Sequence, residues 1–141
     1  MSNSASTQSS SATDPGTGLI TALAARDFSR LAGTLASDVR MRALIPPGFV
    51  ELSGAEDAVA RFAAWFGDAE ELELLRSGSD RLSDRLHVSY TLRVTKPGDV
   101  PKLVEQHLLC TFDGNRINSL DLVCTGFRPD EETWLTHRLP I

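Results

Sequence analysis

The chain has 141 residues, of which 41% are hydrophobic and 23% are charged, and these values are ordinary for one globular domain. Its net charge of −5 argues against a nucleic-acid or anionic-membrane partner, because such partners favour a basic face. No apolar run approaches the roughly 18 residues that cross a bilayer, and the first residues lack the pattern of a secretory signal. We therefore expect a cytoplasmic protein that contacts neither nucleic acid nor membrane.

The first part of the chain predicts a tail followed by two helices. Residues 1–17 are mostly Ser, Thr, Asn, Gln and Ala, which cannot bury an apolar face, so this segment is expected to be disordered. Apolar residues at helical spacing begin at Leu19 and predict the first helix. Asp27 is the expected N-cap of a second helix, which ends near Asp38.

The middle of the chain predicts one strand and a third helix. Residues 39–45 alternate between apolar and polar side chains, and this strand is expected to stop at Pro46. Ser53 and Glu56 have the spacing of a capping box, in which each side chain bonds the backbone at the other residue. The helix that they open is expected to end at Gly67.

The second half of the chain predicts strands. The clearest signal is a hairpin around Asp113-Gly114-Asn115, because this tripeptide between two alternating apolar runs is typical of a turn. A polar turn is expected at residues 79–85. The predicted strands are residues 72–77, 86–94, 104–112 and 116–124. Because the helices precede these strands, the fold class is α+β, with helices on one face of the sheet.

The cysteines and histidines predict no covalent or metal link. Cys110 and Cys124 would lie about 20 Å apart on the hairpin, beyond the reach of a disulfide, so we expect two separate buried thiols. His87, His107 and His137 do not have the spacing of metal ligands. The sequence therefore predicts neither a metal site nor a cofactor.

The order of elements over residues 19–129 resembles the nuclear-transport-factor-2-like superfamily, which includes SnoaL-like polyketide cyclases, ketosteroid isomerases and limonene-epoxide hydrolases. The Ser53-Gly54 step, the turn at residues 113–117 and the ending at residues 121–129 carry the resemblance, and this ending is similar to that of SnoaL-like members. The resemblance implies one domain at residues 18–129. In it, a strongly curved antiparallel sheet wraps around three N-terminal helices into a cone that encloses a pocket. It also implies a homodimer formed through the convex face of the sheet.

The resemblance further implies where catalytic groups would stand, and in this sequence those places hold apolar residues. The isomerase base, pocket tyrosine and carboxylic acid would fall at Ile45, near Leu19 and near Leu108. The last-strand acid of the hydrolases and cyclases would fall at Leu122, one residue from Asp121. Because apolar side chains cannot move a proton, isomerase chemistry of that kind is not expected.

Strand alternation predicts which residues share a face. In the register that the turns suggest, Leu108 lies opposite Tyr90 and Leu120, and Gln106 lies opposite Leu92 and Leu122. This mostly apolar face is expected to line the pocket, with Tyr90 and Gln106 as its polar groups. The expected pocket residues are Met41, Ile45, Phe62, Trp65, Phe66, Val88, Tyr90, Leu92, Gln106, Leu108, Leu120 and Leu122.

The opposite face carries ionisable residues, with Arg93 across from Glu105 and His107 across from Asp121 in the same register. In one interpretation these are exposed pairs on the convex face, each stabilising the sheet by ~0.2–1 kcal/mol. In the other, this face lines the pocket, His107 held by Asp121 is a general base, and Arg93 stabilises an enolate or carboxylate. The first interpretation is favoured because burying four ionisable groups costs more free energy than burying leucines.

Three functions stay open at the level of sequence. The chain is expected to bind a small hydrophobic molecule in an apolar cavity, to act as a SnoaL-like cyclase or isomerase through Asp121 and His107, or to serve as a dimerisation module without a ligand. Residues 130–141 extend beyond the resemblance, and their apolar side chains are expected to pack on the pocket mouth or on a partner subunit. These side chains are Trp134, Leu135, Leu139 and Ile141.

Overall fold

The computed structural model describes residues 14–46 and 48–130, which form three helices and one curved sheet of seven strands. The helices are α1 (Pro15–Ala24), α2 (Phe28–Gly33) and α3 (Ala55–Phe66). The strands are β1 (Leu35–Ile45), β2 (Gly48–Ser53), β3 (Glu71–Leu82), β4 (Arg85–Thr95), β5 (Lys102–Asp113), β6 (Arg116–Cys124) and β7 (Arg128–Pro129). The predicted α+β class is confirmed. None of these described helices combines the length and apolar character that a membrane crossing needs.

The sheet is mixed, whereas a wholly antiparallel sheet was predicted. Its strand order is β2-β1-β6-β5-β4-β3, and β7 pairs with the start of β5. The pairing of β1 with β6 is parallel, and every other pairing is antiparallel. Hairpin signals in a sequence report only strands that are joined by a short turn, so they could not predict how β1 meets the distant β6.

Helix α1 begins four residues before the predicted Leu19. Pro15 has the fixed backbone angle that suits the first helical position, and Asp14 caps the helix by accepting a hydrogen bond from the Gly16 N–H at 3.1 Å. Pro15 and Gly16 are buried. The prediction of disorder for residues 1–17 is therefore wrong from residue 14 onwards, and residues 1–13 lie outside the described part of the chain.

Asp27 is the N-cap of α2, as predicted, and accepts a hydrogen bond from the Arg30 N–H at 3.1 Å. The helix nevertheless ends at Gly33 instead of near Asp38, because Leu35 and the residues after it already pair in β1. Pairing with the sheet overrides the helical spacing of these few residues.

The capping box predicted at the start of α3 does not form. Ser53 is the last residue of β2, a strand that was not predicted, and it lies opposite Arg40 of β1. The N-cap is Gly54, whose φ of +96° turns the chain and whose position has no side-chain cap. The helix ends at Gly67, as predicted.

Strands β3 to β6 form the predicted run of antiparallel hairpins, and the turn at Gly114 is confirmed. β3 continues to Leu82, so the predicted polar turn at residues 79–85 is reduced to Ser83 and Asp84. The register differs from the predicted one by two residues. Leu108 lies opposite Val88 and Leu122, and Gln106 lies opposite Tyr90 and Cys124. A shift of two changes every cross-strand partner but keeps each side chain on its face.

The concave face of the sheet and the inner sides of the helices form one hydrophobic core. Ten of the twelve residues predicted to line a pocket are no more than 2% exposed, and Ile45 and Trp65 are partly buried against the same core. The ten are Met41, Phe62, Phe66, Val88, Tyr90, Leu92, Gln106, Leu108, Leu120 and Leu122. Trp134, Leu135, Leu139 and Ile141 lie outside the described residues.

Candidate functional site

A buried polar network lies on the concave face of the sheet and consists of Tyr90, Gln106 and Cys124. The Gln106 side chain is completely buried. Its Oε1 accepts a hydrogen bond from the Tyr90 hydroxyl at 2.5 Å, and its Nε2 donates one to Cys124 Sγ at 3.3 Å. The backbone N–H of Gly126 also donates to this sulfur at 3.3 Å.

Three neighbouring strands position the buried polar network. Tyr90 of β4 lies directly opposite Gln106 of β5, which lies opposite Cys124 of β6. Residues in register on adjacent strands point to the same face, so all three side chains meet. Tyr90 and Gln106 were predicted from the sequence, whereas Cys124 was not, because the expected register placed Leu122 opposite Gln106.

The buried polar network can orient a ligand but has no acid or base suited to neutral pH. Burial raises the pKa of Tyr90 well above its usual value near 10, so the phenol stays protonated. The Gln106 amide carries two donor hydrogens and does not titrate. Such groups can hold a carbonyl or hydroxyl oxygen in a fixed direction.

The residues at the positions that the resemblance assigns to catalytic groups are apolar and at least partly buried. Leu19 and Leu108 are 0% exposed, and Leu122 is 2% exposed. Ile45 is partly buried at the end of β1. These positions offer packing and no proton transfer.

His107 lies on the convex face and does not meet Asp121. Its Nε2 is 2.7 Å from Glu105 Oε2, and its Nδ1 is 3.0 Å from Nε2 of His87, whose ring lies nearly parallel to it. The residue opposite His107 on β6 is Val123. The predicted His107–Asp121 pair is therefore wrong, and the two-residue shift of register is the cause.

Asp121 pairs with Arg42 of the parallel neighbour β1. Its two carboxylate oxygens accept hydrogen bonds from Arg42 Nε at 2.8 Å and Nη2 at 3.0 Å. These bonds lower the pKa of Asp121, because they stabilise the charged form. A carboxylate held in this way is a poor general base.

Arg93 also has partners other than the predicted Glu105, which lies opposite Thr91. Arg93 donates to Glu73 at 2.8 Å and to Asp130 at 2.9 Å, and these bonds raise its pKa. The three candidate catalytic residues, Asp121, His107 and Arg93, are thus held in separate clusters on the outer face of the sheet.

The thiols and acids give no candidate metal site. Within residues 14–46 and 48–130, no group of three His, Cys, Asp or Glu side chains is arranged to hold an ion. Cys110 and Cys124 are both free, and burial raises the pKa of Cys110 to about 12. Cys110 is fully buried and Cys124 is partly buried.

A cleft of about 410 Å³ lies where the β3–β4 and β5–β6 hairpins end beside the start of α1. We name it the hairpin-end cleft. The cleft was not predicted from the sequence, because Ser79 and Arg81 were expected in a turn, whereas both lie on β3. The cleft is lined by Asp14, Pro15, Ser79, Arg81, Leu86, Phe112, Gly114 and Asn115.

Comparison with known proteins finds similarity in structure and none in sequence. No family model and no curated protein matches the chain. A protein from Catenulispora acidiphila, described as having a ketosteroid isomerase-like fold and solved with trimethylamine, is 18% identical, with a TM-score of 0.63 over 75% of this chain and 81% of its own. A putative polyketide cyclase from Pseudomonas putida is 14% identical, with a TM-score of 0.59 over 74% and 84% of the two chains. A nuclear-transport-factor-2-like protein from Cytophaga hutchinsonii is 16% identical, with a TM-score of 0.53 over 82% and 88%.

Proposed function

The chain has the nuclear-transport-factor-2-like fold, and from this premise we propose that it binds a small, largely hydrophobic molecule on the concave side of its sheet. The molecule carries one carbonyl or hydroxyl group that meets Gln106 and Tyr90. The surrounding residues that were expected to line a pocket, such as Leu92 and Leu122, supply apolar contacts.

The buried polar network carries this proposal. A completely buried amide is costly unless its hydrogen bonds are made. Cys124 Sγ is the only acceptor for the Gln106 amide hydrogens within the described part of the chain, and sulfur is a weak acceptor. The second amide hydrogen of Gln106 is the donor that we propose for an oxygen atom of a ligand in these apolar surroundings.

The first experiment tests whether such a molecule binds. We expect 2-naphthol, an apolar ring system with one hydroxyl group, to bind more tightly than naphthalene in a fluorescence titration. Gln106→Met has nearly the same shape but cannot make the hydrogen bond, so it should weaken 2-naphthol binding roughly threefold to tenfold. It should leave naphthalene binding unchanged.

A matched control is Leu109→Met, because Leu109 lies three residues after Gln106 on the same strand but on the convex face. This variant should bind 2-naphthol like the unmodified chain. Equal affinities for the two compounds in the unmodified chain, or equal effects of the two variants, would contradict the proposal. Native mass spectrometry of the purified protein would further identify any molecule that it retains.

The acid–base alternative has no support in this geometry. Asp121 pairs with Arg42 and His107 pairs with Glu105, so neither side chain is oriented by the other. Both lie on the face opposite the buried polar network. We therefore do not assign cyclase or isomerase activity to these residues.

We also propose that the chain forms a homodimer through the convex face. Three apolar residues lie in register on the neighbouring strands β2, β1 and β6. They are Phe49, which is 61% exposed, Leu44, which is 58% exposed, and Val123, which is 54% exposed. We name these three residues the convex apolar row. A contiguous exposed apolar surface of this kind favours association, because contact with a second copy removes it from water.

Sedimentation analysis tests the dimer. Val123→Asp places a charge in the convex apolar row and should shift the chain to a monomer at micromolar concentration. Val100→Asp is the matched control, because Val100 is 61% exposed in the β4–β5 turn and lies outside the row. A monomeric unmodified chain, or equal shifts by both variants, would count against this interface.

The cytoplasmic location stays a prediction from the sequence.

A further inference from the structure

We propose that the hairpin-end cleft is a second binding site and that it accepts a small organic anion, such as an aromatic carboxylate. The cleft has a volume of about 410 Å³, which falls in the range of small-molecule sites. Unlike the buried polar network, its lining includes a positively charged side chain, that of Arg81.

The apolar part of the cleft is formed by inward-facing residues of two strands. Leu86 of β4 is buried, and Phe112 of β5 is partly buried on the same concave face. Pro15 adds an apolar contact from α1. These surfaces provide a place for the ring or short chain of a ligand, because burial there removes apolar area from water.

Arg81 supplies the positive charge. Its guanidinium lies over the Phe112 ring, with Cζ 5.0 Å from the ring centroid, so the aromatic face helps to hold it in place. Arg81 forms no ion pair within the described residues. A planar guanidinium can bind both oxygens of a carboxylate, so this side chain selects an anion.

Ser79 supplies a buried hydroxyl. Its Oγ is buried without any hydrogen-bond partner in the described part of the chain, although such groups are usually paired. The hydroxyl packs against Gly16, where a Cβ atom would clash with it. Ser79 is also part of the lining of the hairpin-end cleft, and an oxygen atom bound there would satisfy it.

The one acidic residue in the lining, Asp14, is held at the start of α1 by its own hydrogen bonds. Asp14 Oδ1 accepts from the Gly16 N–H at 3.1 Å, and Oδ2 accepts from the Thr17 hydroxyl at 3.0 Å. The residues of the lining that carry side-chain hydrogen-bond donors are Arg81, Ser79 and Asn115. This set recognises a carboxylate next to an apolar body.

The cleft is separate from the site proposed above. Phe112 follows Gln106 by six positions on β5, which corresponds to about 20 Å along the strand. Loss of binding at one place should therefore leave the other intact.

Benzoate is the probe for the test, and benzyl alcohol is its neutral counterpart. In a nuclear magnetic resonance titration of the full chain, benzoate should shift the backbone amide signals of Arg81, Leu86 and Asn115. Arg81→Gln should weaken this binding roughly tenfold or more, because it removes a charge-assisted pair of hydrogen bonds. Arg81→Lys, which keeps the charge but not the planar fork, should weaken it less.

The matched control is Arg76→Gln, because Arg76 lies on the same strand but opposite Thr91 on the outer face. This variant should bind benzoate like the unmodified chain, and the signal dispersion of each variant reports whether it is folded. Signal shifts outside the cleft, equal binding of benzyl alcohol, or equal effects at Arg76 and Arg81 would overturn the proposal. An unchanged benzoate affinity in Arg81→Gln would overturn it as well.

Discussion

The concave and convex faces of the sheet are built from alternate residues of the same strands. The two faces nevertheless differ in how far their polar side chains are exposed to water and in how these side chains are paired. On β5, Gln106 and Leu108 are completely buried on the concave face, whereas His107 is partly exposed and Leu109 is 36% exposed on the convex face. At the centre of the concave face, the polar side chains of Tyr90, Gln106 and Cys124 form a hydrogen-bonded network. On the convex face, charged side chains form ion pairs or clusters of three residues that stay in contact with water.

This difference explains why charge is a poor guide to the site that we propose. Ionisable residues are the usual candidates for catalysis, but contact with water makes the outer face of the sheet the least costly place for a charge. The informative residue is instead Gln106, an amide in the row of leucines that faces the core. A buried polar group needs an explanation, whereas an exposed charge does not.

The two faces should differ most in the free energy of unfolding that is lost when each of two adjacent leucines is truncated to alanine. Leu108→Ala removes a fully buried side chain and should lower the free energy of unfolding by ~2–5 kcal/mol, because it leaves a cavity. Leu109→Ala should change it by less than about 1 kcal/mol. Urea unfolding followed by circular dichroism, at one protein concentration, measures both values. Similar losses at the two positions would show that the convex face is also buried, as in a tight dimer.

Substitutions within the buried polar network should lower the free energy of unfolding by an intermediate amount. Tyr90→Phe leaves Gln106 Oε1 without its donor and should lower the free energy of unfolding by about 1–3 kcal/mol. Adding Gln106→Met should then cost less than it does in the unmodified chain, because the lost bond is counted once. A double-mutant cycle of urea unfolding measures this coupling. Strict additivity would mean that the hydroxyl and the amide do not depend on each other.

Removal of the ion pair between Arg42 and Asp121 on the convex face should lower the free energy of unfolding least, and the loss should depend on pH. Asp121→Asn should lower the free energy of unfolding at neutral pH by ~0.2–1 kcal/mol, because both partners are more than a third exposed. The folded pKa of Asp121 is below its ordinary value of 3.8, so this stabilisation is present above that pH. It is lost as the pH falls through the lowered pKa.

Unfolding measured from pH 7 to pH 2 checks the sign of this effect. The difference between the unmodified chain and Asp121→Asn should shrink below about pH 4. Asp84→Asn is the matched control, because Asp84 lies in the β3–β4 turn and forms no ion pair within the described residues. A difference that grows as the pH falls would contradict the assignment of Arg42 as the partner.

Local signals were reliable where the interaction they describe is itself local. The Asp27 cap, the end of α3 at Gly67 and the turn at Gly114 involve residues a few positions apart, and all three are confirmed. The Ser53 capping box failed although its spacing was correct. The reason is that Ser53 is held in β2 by pairing with β1, an interaction that the spacing does not contain.

The sequence by itself determined which side chains of the central strands face inward, and so it determined that the interior is apolar around Tyr90 and Gln106. That result survived a register error, because side chains alternate with a period of two and the error was two residues. Only the tertiary structure decided the cross-strand partners, the parallel pairing of β1 with β6, and the cleft beside Arg81. Each of these depends on contacts between residues far apart in the chain, for which a single sequence carries no local signal.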